Sequence, residues 1–371
     1  MNTRPILDSD KGAFVLSASF NSDCSFYSVA LESGFRVYSS TTCGEKIARD
    51  VGGGIGCAEM LGTTSYIALV GGGKQPKYPQ NKVQIWNDKT ERFTTSVEFK
   101  TSIQRVRISQ THMIVALLNS VNVYKMKVPP EKAAEYETIN NPFGLCELTK
   151  DLVAFPGRRA GQVKMFDLNT GNVSIFSAHE SPLRAITISK DGQLVATASE
   201  QGTLIRLWSF PSCTKLAELR RGVYTATIFS LAFSPNGSTL AVTSDKSTLH
   251  VFDLKSATAE ASPKHNKYGL LSQIPLLPRQ FSDTYPTATT KFDMGEEPVA
   301  WGPHAKSATM SAGIPGVPGG RPTKGLIGWL DEETILVLGA GQDPRWESFQ
   351  FGLDDRGKKC LVSNGWKRFI D

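Results

Sequence analysis

LVATASEQGTLIRLW, residues 194–208, is the stretch of sequence that decides the fold class. It holds two runs rich in β-branched, small and apolar residues, separated by the glycine-containing turn 199–203. Runs of this length around such a turn are typical of two antiparallel strands joined as a hairpin. A third run, 183–188, precedes them and ends in the turn 189–192. The stretch therefore predicts three consecutive strands connected by short turns.

The end of this stretch belongs to a repeat. A four-residue signature, in which two apolar residues flank a variable one and an aromatic residue follows, occurs six times. The copies begin at Phe35, Val83, Val121, Val163, Ile205 and Leu249. Successive copies lie 38 to 48 residues apart, which is the spacing of four-stranded blades in a β-propeller. Sandwiches and barrels also alternate at period two, but they do not reuse one signature at a nearly constant interval.

The repeat divides the chain into blades. The first six are predicted near residues 13–50, 55–100, 101–140, 142–178, 182–220 and 223–293. Residues 296–371 are long enough for a seventh, and its predicted strands are Leu326–Leu330, Thr334–Leu338 and Trp346–Phe351. We therefore expect an all-β protein, a seven-bladed β-propeller of WD-repeat type that forms one domain over residues 1–371. A Gly/Pro-rich insertion, Gly313 to Gly320, leaves open whether blade seven borrows a strand from the amino terminus.

Composition sets few limits on function. The chain has 371 residues and a formal net charge of +6, which permits attraction to an anionic membrane or to nucleic acid. It has no long Lys/Arg run and no RNA-recognition motif, so we expect no nucleic-acid partner. The six cysteines form no Cys-x-x-Cys pair, which favours reduced thiols in a cytoplasmic protein. No apolar signal region or membrane-length apolar run occurs.

No motif for catalysis emerges. The glycine runs 52–56 and 71–73 lack the spacing and the following Ser/Thr of a phosphate-binding P-loop. No Ser-His-Asp arrangement, carboxylate pair or metal-ligand cluster is apparent. The sequence therefore predicts no enzyme activity, no metal site and no cofactor.

The most informative functional feature is Arg220-Arg221, at the junction of the fifth and sixth repeats. Each guanidinium is a planar fork of donors that suits a phosphate. Adjacent residues of a strand point to opposite faces, so the two arginines are predicted to serve two separate, shallow pockets on an exposed rim. The alternative is a solvated pair of surface arginines, which contributes little, but the polar residues of the flanking repeats favour the two pockets.

Polar side chains lie on both sides of this pair. They are His179, the turn 199–203 and Arg206 in the fifth repeat, and the turn 244–248 and His250 in the sixth. Thr248 and His250 are two residues apart and face the same way in a strand. Hydroxyl, imidazole and guanidinium groups are those that a phosphomonoester on a polyol ring requires. For His179, a structural hydrogen-bond network and a ligand role are both compatible with the sequence.

The residues resemble a known family. Leu219-Arg220-Arg221-Gly222 is similar to the Phe/Leu-Arg-Arg-Gly motif of the PROPPINs, and the stretches 69–73, 81–88 and 198–206 support the similarity. The resemblance spans nearly the whole chain. Within the family it is greatest to compact fungal members, similar to the yeast homologue of the swollen-vacuole protein. Leu219 takes the place of the motif's phenylalanine.

The resemblance implies a propeller that binds phosphatidylinositol 3-phosphate and phosphatidylinositol 3,5-bisphosphate in autophagy and endolysosomal membrane traffic. Carried over by position, headgroup site 1 consists of His179, Ser199, Thr203, Arg206 and Arg220. Headgroup site 2 consists of Arg221, Ser244, Thr248 and His250. Partners would be phosphoinositide-containing membranes and autophagy proteins such as the lipid-transfer machinery. The protein would be a monomer in solution, and peripheral on autophagosome-precursor, endosomal and vacuolar membranes. Arg206 is the weakest member, because strand alternation can turn it away from Thr203.

Residues 255–290 form an insertion in blade six that is far longer than a hairpin loop. Its apolar residues are predicted to insert into a membrane, while nearby lysines and an arginine meet headgroups. They are Tyr268, Leu270, Leu271, Ile274, Leu276, Leu277 and Phe281. A disordered loop is the alternative.

Two other functions stay open at this point. One is a WD-repeat scaffold for protein complexes that binds no lipid and whose basic edge meets acidic peptides. The other, with less support, is an enzyme domain that uses the propeller channel.

Overall fold

The computed structural model describes residues 13–255, 284–295, 314 and 316–370. Within them, strands make up seven four-stranded antiparallel sheets. In every sheet the strands lie in sequence order. Short connections join successive strands, except in the sixth sheet, where residues 254–287 separate the third strand from the fourth. The prediction of an all-β, seven-bladed propeller is confirmed.

The first four blades follow the predicted spacing. Blade one consists of β1 (Val15–Phe20), β2 (Phe26–Leu31), β3 (Gly34–Ser39) and β4 (Glu45–Asp50). Blade two consists of β5 (Ile55–Met60), β6 (Tyr66–Gly71), β7 (Lys82–Asn87) and β8 (Arg92–Glu98). Blade three consists of β9 (Ile103–Ile108), β10 (His112–Leu117), β11 (Ser120–Lys125) and β12 (Glu131–Glu137). Blade four consists of β13 (Glu147–Leu148), β14 (Leu152–Pro156), β15 (Gln162–Asp167) and β16 (Val173–Ser177).

Blades five and six carry the arginine pair at their junction, and blade seven completes the ring. Blade five consists of β17 (Leu183–Ile188), β18 (Leu194–Ser199), β19 (Leu204–Ser209) and β20 (Lys215–Arg220). Blade six consists of β21 (Ile228–Phe233), β22 (Thr239–Ser244), β23 (Thr248–Asp253) and β24 (Ala288–Lys291). Blade seven consists of β25 (Leu326–Trp329), β26 (Thr334–Gly339), β27 (Arg345–Leu353) and β28 (Lys359–Arg368). A 3-10 turn, Pro318–Gly320, precedes it.

Burial within a blade follows the position of the strand. The second strand of a blade is buried along its length, as in β22, because neighbouring blades cover both of its faces. The outermost strand alternates between exposed and half-buried residues, as in β4 and β8. Blades five and six pack on each other through Leu219, Ile228 and other buried side chains. This packing fixes the junction that carries the arginine pair.

The ring closes without a strand shared between its two ends. All four strands of blade seven come from residues 326–368. Val15 and Gly341 exchange backbone hydrogen bonds of 3.0 and 2.9 Å. The Trp346 indole nitrogen donates to the Ser40 carbonyl at 2.9 Å, within a cluster of buried side chains from blades one and seven. In the described residues, side-chain packing, one isolated bridge and side-chain hydrogen bonds to the Ser40 and Thr42 carbonyls therefore hold the seam between blades one and seven.

The segment that leads into blade seven crosses one end of the ring. Val317 packs against Leu16 of blade one. The Gly319 amide donates to the Pro142 carbonyl at 2.8 Å, at the entry to blade four. The described part of the Gly/Pro-rich insertion, residues 314 and 316–320, is thus packed against blades on both sides of the ring axis.

Other expectations from composition can be compared with the fold. All six cysteines lie in the described residues, and none forms a disulfide. No described helix is long and apolar enough to cross a membrane.

Candidate headgroup sites at the blade five–six junction

The arginine pair lies at the end of the outermost strand of blade five. The register pairs Arg220 with Leu204, and the Arg221 amide donates to the Thr203 carbonyl at 3.0 Å. The Gly202 amide donates to the Ser199 carbonyl at 3.0 Å. Ser199, Thr203 and both arginines therefore meet at one end of the blade.

Gly202 shapes the turn between β18 and β19. Its φ is +60°, a left-handed conformation that glycine adopts without strain. A Cβ at this position would lie 1.8 Å from the carbonyl oxygen of Ala226. No other residue fits the turn. In this conformation the Gly202 carbonyl accepts a hydrogen bond from the Arg221 side chain.

Both arginines are more buried than the sequence predicted. Only 8% of Arg220 and 9% of Arg221 is exposed, so the expectation of an exposed rim is wrong for this pair. The reason lies in residues distant in sequence. The Thr284 carbonyl accepts the Arg220 amide at 2.8 Å, and Thr284 forms a parallel bridge with Leu219.

Arg221 reaches across the junction between the blades. Its Nε donates to the Gly202 carbonyl at 2.8 Å, and its Nη2 donates to the carbonyl of Tyr224. Burial lowers the pKa of Arg221, and the charge of Asp245 in blade six acts in the opposite direction. A guanidinium has five donors. The contacts named here use Nε and Nη2, which leaves Nη1 to meet a ligand.

The structure brings the residues of headgroup site 2 together. Ser244 and Thr248 are register partners whose hydroxyl oxygens lie 3.2 Å apart. His250 follows two residues later on β23, and its Nδ1 lies 3.0 Å from the Thr289 hydroxyl. Burial, together with the positive charge of Arg221, lowers the pKa of His250 to about 4. Its imidazole is therefore neutral at physiological pH.

Headgroup site 1 divides into two groups. Ser199, Thr203 and Arg220 lie at the end of the blade, as described above. Arg206 lies deeper along the strand, where its Nε donates to Glu218 at 3.0 Å and its Nη1 donates to the Ala178 carbonyl at 2.6 Å. Its guanidinium is engaged by the Glu218 carboxylate.

His179 belongs to a buried hydrogen-bond network. Its Nε2 lies 3.0 Å from the Thr197 hydroxyl, which also accepts from the Trp208 indole at 3.1 Å. Burial, with a smaller effect from the charge of Arg206, lowers the pKa of His179 to about 4. Of the two roles left open by the sequence, the observed contacts show the structural one.

Thr289 was not singled out by the sequence, although it is the partner of His250. It lies on β24, which occupies the last three residues of the predicted insertion 255–290, so no local pattern connects it to the site. The seven apolar residues predicted to insert into a membrane fall in 256–283, outside the described residues. In the described part of the chain, no group of three or more His, Cys, Asp or Glu residues is arranged to hold a metal ion.

Comparisons with known proteins now identify the class. The PROPPIN family model matches residues 15–284. The chain is similar to SVP1-like protein 2 of Emericella nidulans, with 49% identity over 321 residues that cover 84% of this chain and 99% of that protein. It is also similar to autophagy-related protein 18e of Arabidopsis thaliana, with 35% identity covering 76% of this chain and 78% of that protein. The chain belongs to the PROPPIN family, and the predicted resemblance is confirmed.

Solved structures show the same fold. The crystal structure of Hsv2 from Kluyveromyces marxianus matches with a TM-score of 0.75 at 19% identity, covering 97% of this chain and 100% of that one. The complex of KlAtg21 with the coiled coil of AgAtg16 matches with a TM-score of 0.67 at 19% identity, covering 96% and 99%. At these identities the likeness concerns the fold.

Proposed function

We propose that this propeller is a peripheral membrane effector, without catalytic activity, that binds phosphatidylinositol 3-phosphate and phosphatidylinositol 3,5-bisphosphate. It acts in autophagy and in vacuolar and endosomal membrane traffic. The observation that carries the proposal is the arginine pair, which lies at the junction of two blades with a set of hydroxyl groups on each side. Family membership supports the same conclusion.

Headgroup site 2 has the more complete set of groups. Arg221 supplies a charged fork for a phosphate. Ser244 and Thr248 supply hydroxyls that donate or accept, and the neutral imidazole of His250 adds one donor or acceptor according to its tautomer. Because these groups are largely buried, their hydrogen bonds to a phosphate would form in a low-dielectric environment, where charge-assisted contacts are stronger.

Headgroup site 1 is centred on the end of blade five. Arg220 is the phosphate ligand, and Ser199 and Thr203 bind the polyol ring or a second phosphate. Arg206 and His179 contribute indirectly: the ion pair with Glu218 and the hydrogen bond to Thr197 hold the strands on which the ligands lie. The ligand set we propose is therefore smaller than the motif alone implies.

The insertion 255–290 is proposed as the membrane-facing element. Its carboxyl end supports this, because Thr284 pairs with the blade five strand immediately beside Arg220. An apolar segment that returns to this point brings the bilayer and the headgroup sites to the same side of the ring. Weak headgroup binding and apolar insertion together then give stable attachment.

The names of two similar proteins support a proposal about partners and location. One relative is named as autophagy-related, and a structural neighbour is in complex with a coiled coil. We propose that this chain likewise recruits autophagy proteins, such as the lipid-transfer machinery, to autophagosome-precursor, endosomal and vacuolar membranes. It is a monomer in solution, and it meets no nucleic acid.

Liposome flotation tests the proposed function. The protein should float with vesicles that contain phosphatidylinositol 3-phosphate and stay behind with vesicles that lack it. Replacing Arg220 and Arg221 together with Thr should abolish flotation. The control is Arg158→Thr with Arg159→Thr, a second Arg-Arg pair, which lies exposed at a blade four turn and removes the same charge. If flotation does not depend on the lipid, or if both double variants lose it equally, a lipid-independent scaffold is the better description.

A further inference from the structure

The axis of the propeller contains a cavity with a volume of about 1500 Å3. It is lined by the innermost strand of every blade. Seven lysine or arginine residues and four aspartate or glutamate residues line it. The residues that line the cavity therefore carry an excess of positive charge. Arg220 and Arg221 are not among them.

Arg107 accounts for part of this charge and is neutralised. Its Nη1 lies 3.1 Å from the Glu59 carboxylate, and its Nη2 lies 3.7 Å from Glu147. Ser19 donates to the same Glu59 carboxylate at 2.6 Å. This group is a closed set of ion pairs and needs no further partner.

Arg105 and Arg184 are different. Each has a buried Nε for which the described structure offers no hydrogen-bond partner, a costly arrangement for a charged donor. Arg105 donates from Nη2 to the Phe143 carbonyl at 3.3 Å. Arg184 forms no ion pair with any described residue. Burial and the charge of Arg105 lower the pKa of Arg184 to about 10, as expected for two like charges in one enclosed space.

An aromatic ring completes the group at the covered end of the cavity. The guanidinium carbon of Arg184 lies 4.0 Å from the centroid of the Phe143 ring, which fixes its plane. Gly319, in the segment that crosses one end of the propeller, lies close to the same aromatic ring of Phe143. A Cβ there would lie 2.6 Å from the Phe143 ring. Arg321 follows in the same segment and also lines the cavity.

We propose that Arg105, Arg184 and Phe143 form a channel anion site that binds a small phosphate anion, either free or carried on a soluble inositol polyphosphate. Two forked guanidinium groups that form no ion pair with a described carboxylate suit phosphate oxygens. The volume accommodates a ligand of either size. The exposed Lys150 and Lys190, in the turns at the other end of the cavity, would attract anions towards it. A headgroup held in a bilayer would not enter the ring, so the ligand is soluble.

Calorimetry in a chain without headgroup sites tests the proposal. In the Arg220→Thr, Arg221→Thr double variant, pyrophosphate or inositol hexakisphosphate should still bind at matched ionic strength. Adding Arg184→Gln should weaken this binding by about tenfold or more. Binding of both probes indicates a free phosphate site, and binding of inositol hexakisphosphate alone indicates a polyol-borne one. Either result supports the site.

Two further measurements distinguish loss of the anion site from a folding defect. In the otherwise wild-type chain, Arg184→Gln should remove one binding event for the same probe and leave lipid-dependent flotation unchanged. Without anion, its thermal midpoint should equal or exceed that of wild type, because one of two repelling charges is gone. Equal anion binding with and without Arg184 would overturn the proposal. A chain that binds neither probe, or that loses several degrees of stability through Arg184→Gln, would overturn it as well.

Discussion

Replacing Arg221 alone with Thr should affect both headgroup binding and stability. In the proposed function the guanidinium is the phosphate ligand of headgroup site 2, and a hydrogen bond to a charged group contributes about 1.5–3 kcal/mol. Affinity at that site should therefore fall roughly ten- to hundredfold. The same side chain also satisfies the buried Gly202 carbonyl. Leaving that carbonyl without a donor should cost about 1–3 kcal/mol of folding free energy.

The assay combines calorimetry with a soluble phosphatidylinositol 3-phosphate headgroup and a thermal melt of the same sample. Arg221→Lys is the graded variant, because it keeps the charge but not the planar fork, and it should bind with intermediate affinity. Arg158→Thr is the matched control, since Arg158 is exposed and its ion pair with Glu137 is of a kind that contributes little. A folded Arg221→Thr chain with wild-type affinity at both sites would refute the assignment of Arg221.

Three further predictions concern stoichiometry, membrane anchoring and pH. In the Arg184→Gln chain, which lacks the proposed channel anion site, titration with the soluble headgroup should give two sites per chain, and one should disappear when Arg220 or Arg221 is replaced as well; a single site in the Arg184→Gln chain would reject the two-pocket arrangement. Replacing four leucines of the insertion with serine should sharply reduce liposome binding but leave headgroup affinity unchanged. Unchanged flotation would show that the insertion does not contribute to membrane attachment. These leucines are Leu270, Leu271, Leu276 and Leu277. Burial lowers the pKa of His179 and His250 from an ordinary 6.5 to about 4 in the folded chain. Between pH 6.5 and pH 4 these histidines are therefore protonated in the unfolded chain but stay neutral in the folded chain. The thermal midpoint should hold above pH 6.5 and fall towards pH 4, and His250→Gln should flatten that fall.

The architecture was accessible from the sequence because its signals are local. A blade is built from hairpins, and each hairpin shows its own alternation and turn, as in residues 183–208. The repeat then gives the number of blades. Blade seven has a weaker signature, but the sequence still predicted three of its four strands. The third of these, β27, extends past the predicted end at Phe351 to Leu353.

The chemistry of the site was only partly accessible, because it depends on contacts between distant residues. The Arg220 amide donates to the Thr284 carbonyl, and Thr284 lies near the end of the insertion 255–290, which no pattern connects to blade five. Arg206 was recognised as an arginine near the site, but its engagement by Glu218 depends on the register between two strands. The partner of His179 is Thr197, an unremarkable strand residue until the fold places the two 3.0 Å apart.

The seam between blades one and seven has a consequence for the dynamics of the ring. Elsewhere, antiparallel pairing holds the strands together within a blade, and the chain itself connects successive blades. At the seam, in the described residues, neither a hairpin nor a shared strand is present, and the Val15–Gly341 bridge carries the backbone contact. Such a boundary between cooperative units has a lower free energy of local opening than the hairpins beside it. Amide exchange at these two residues should therefore be faster than at the buried β22, and a ligand or partner that spans blades one and seven would stabilise the ring by suppressing this opening.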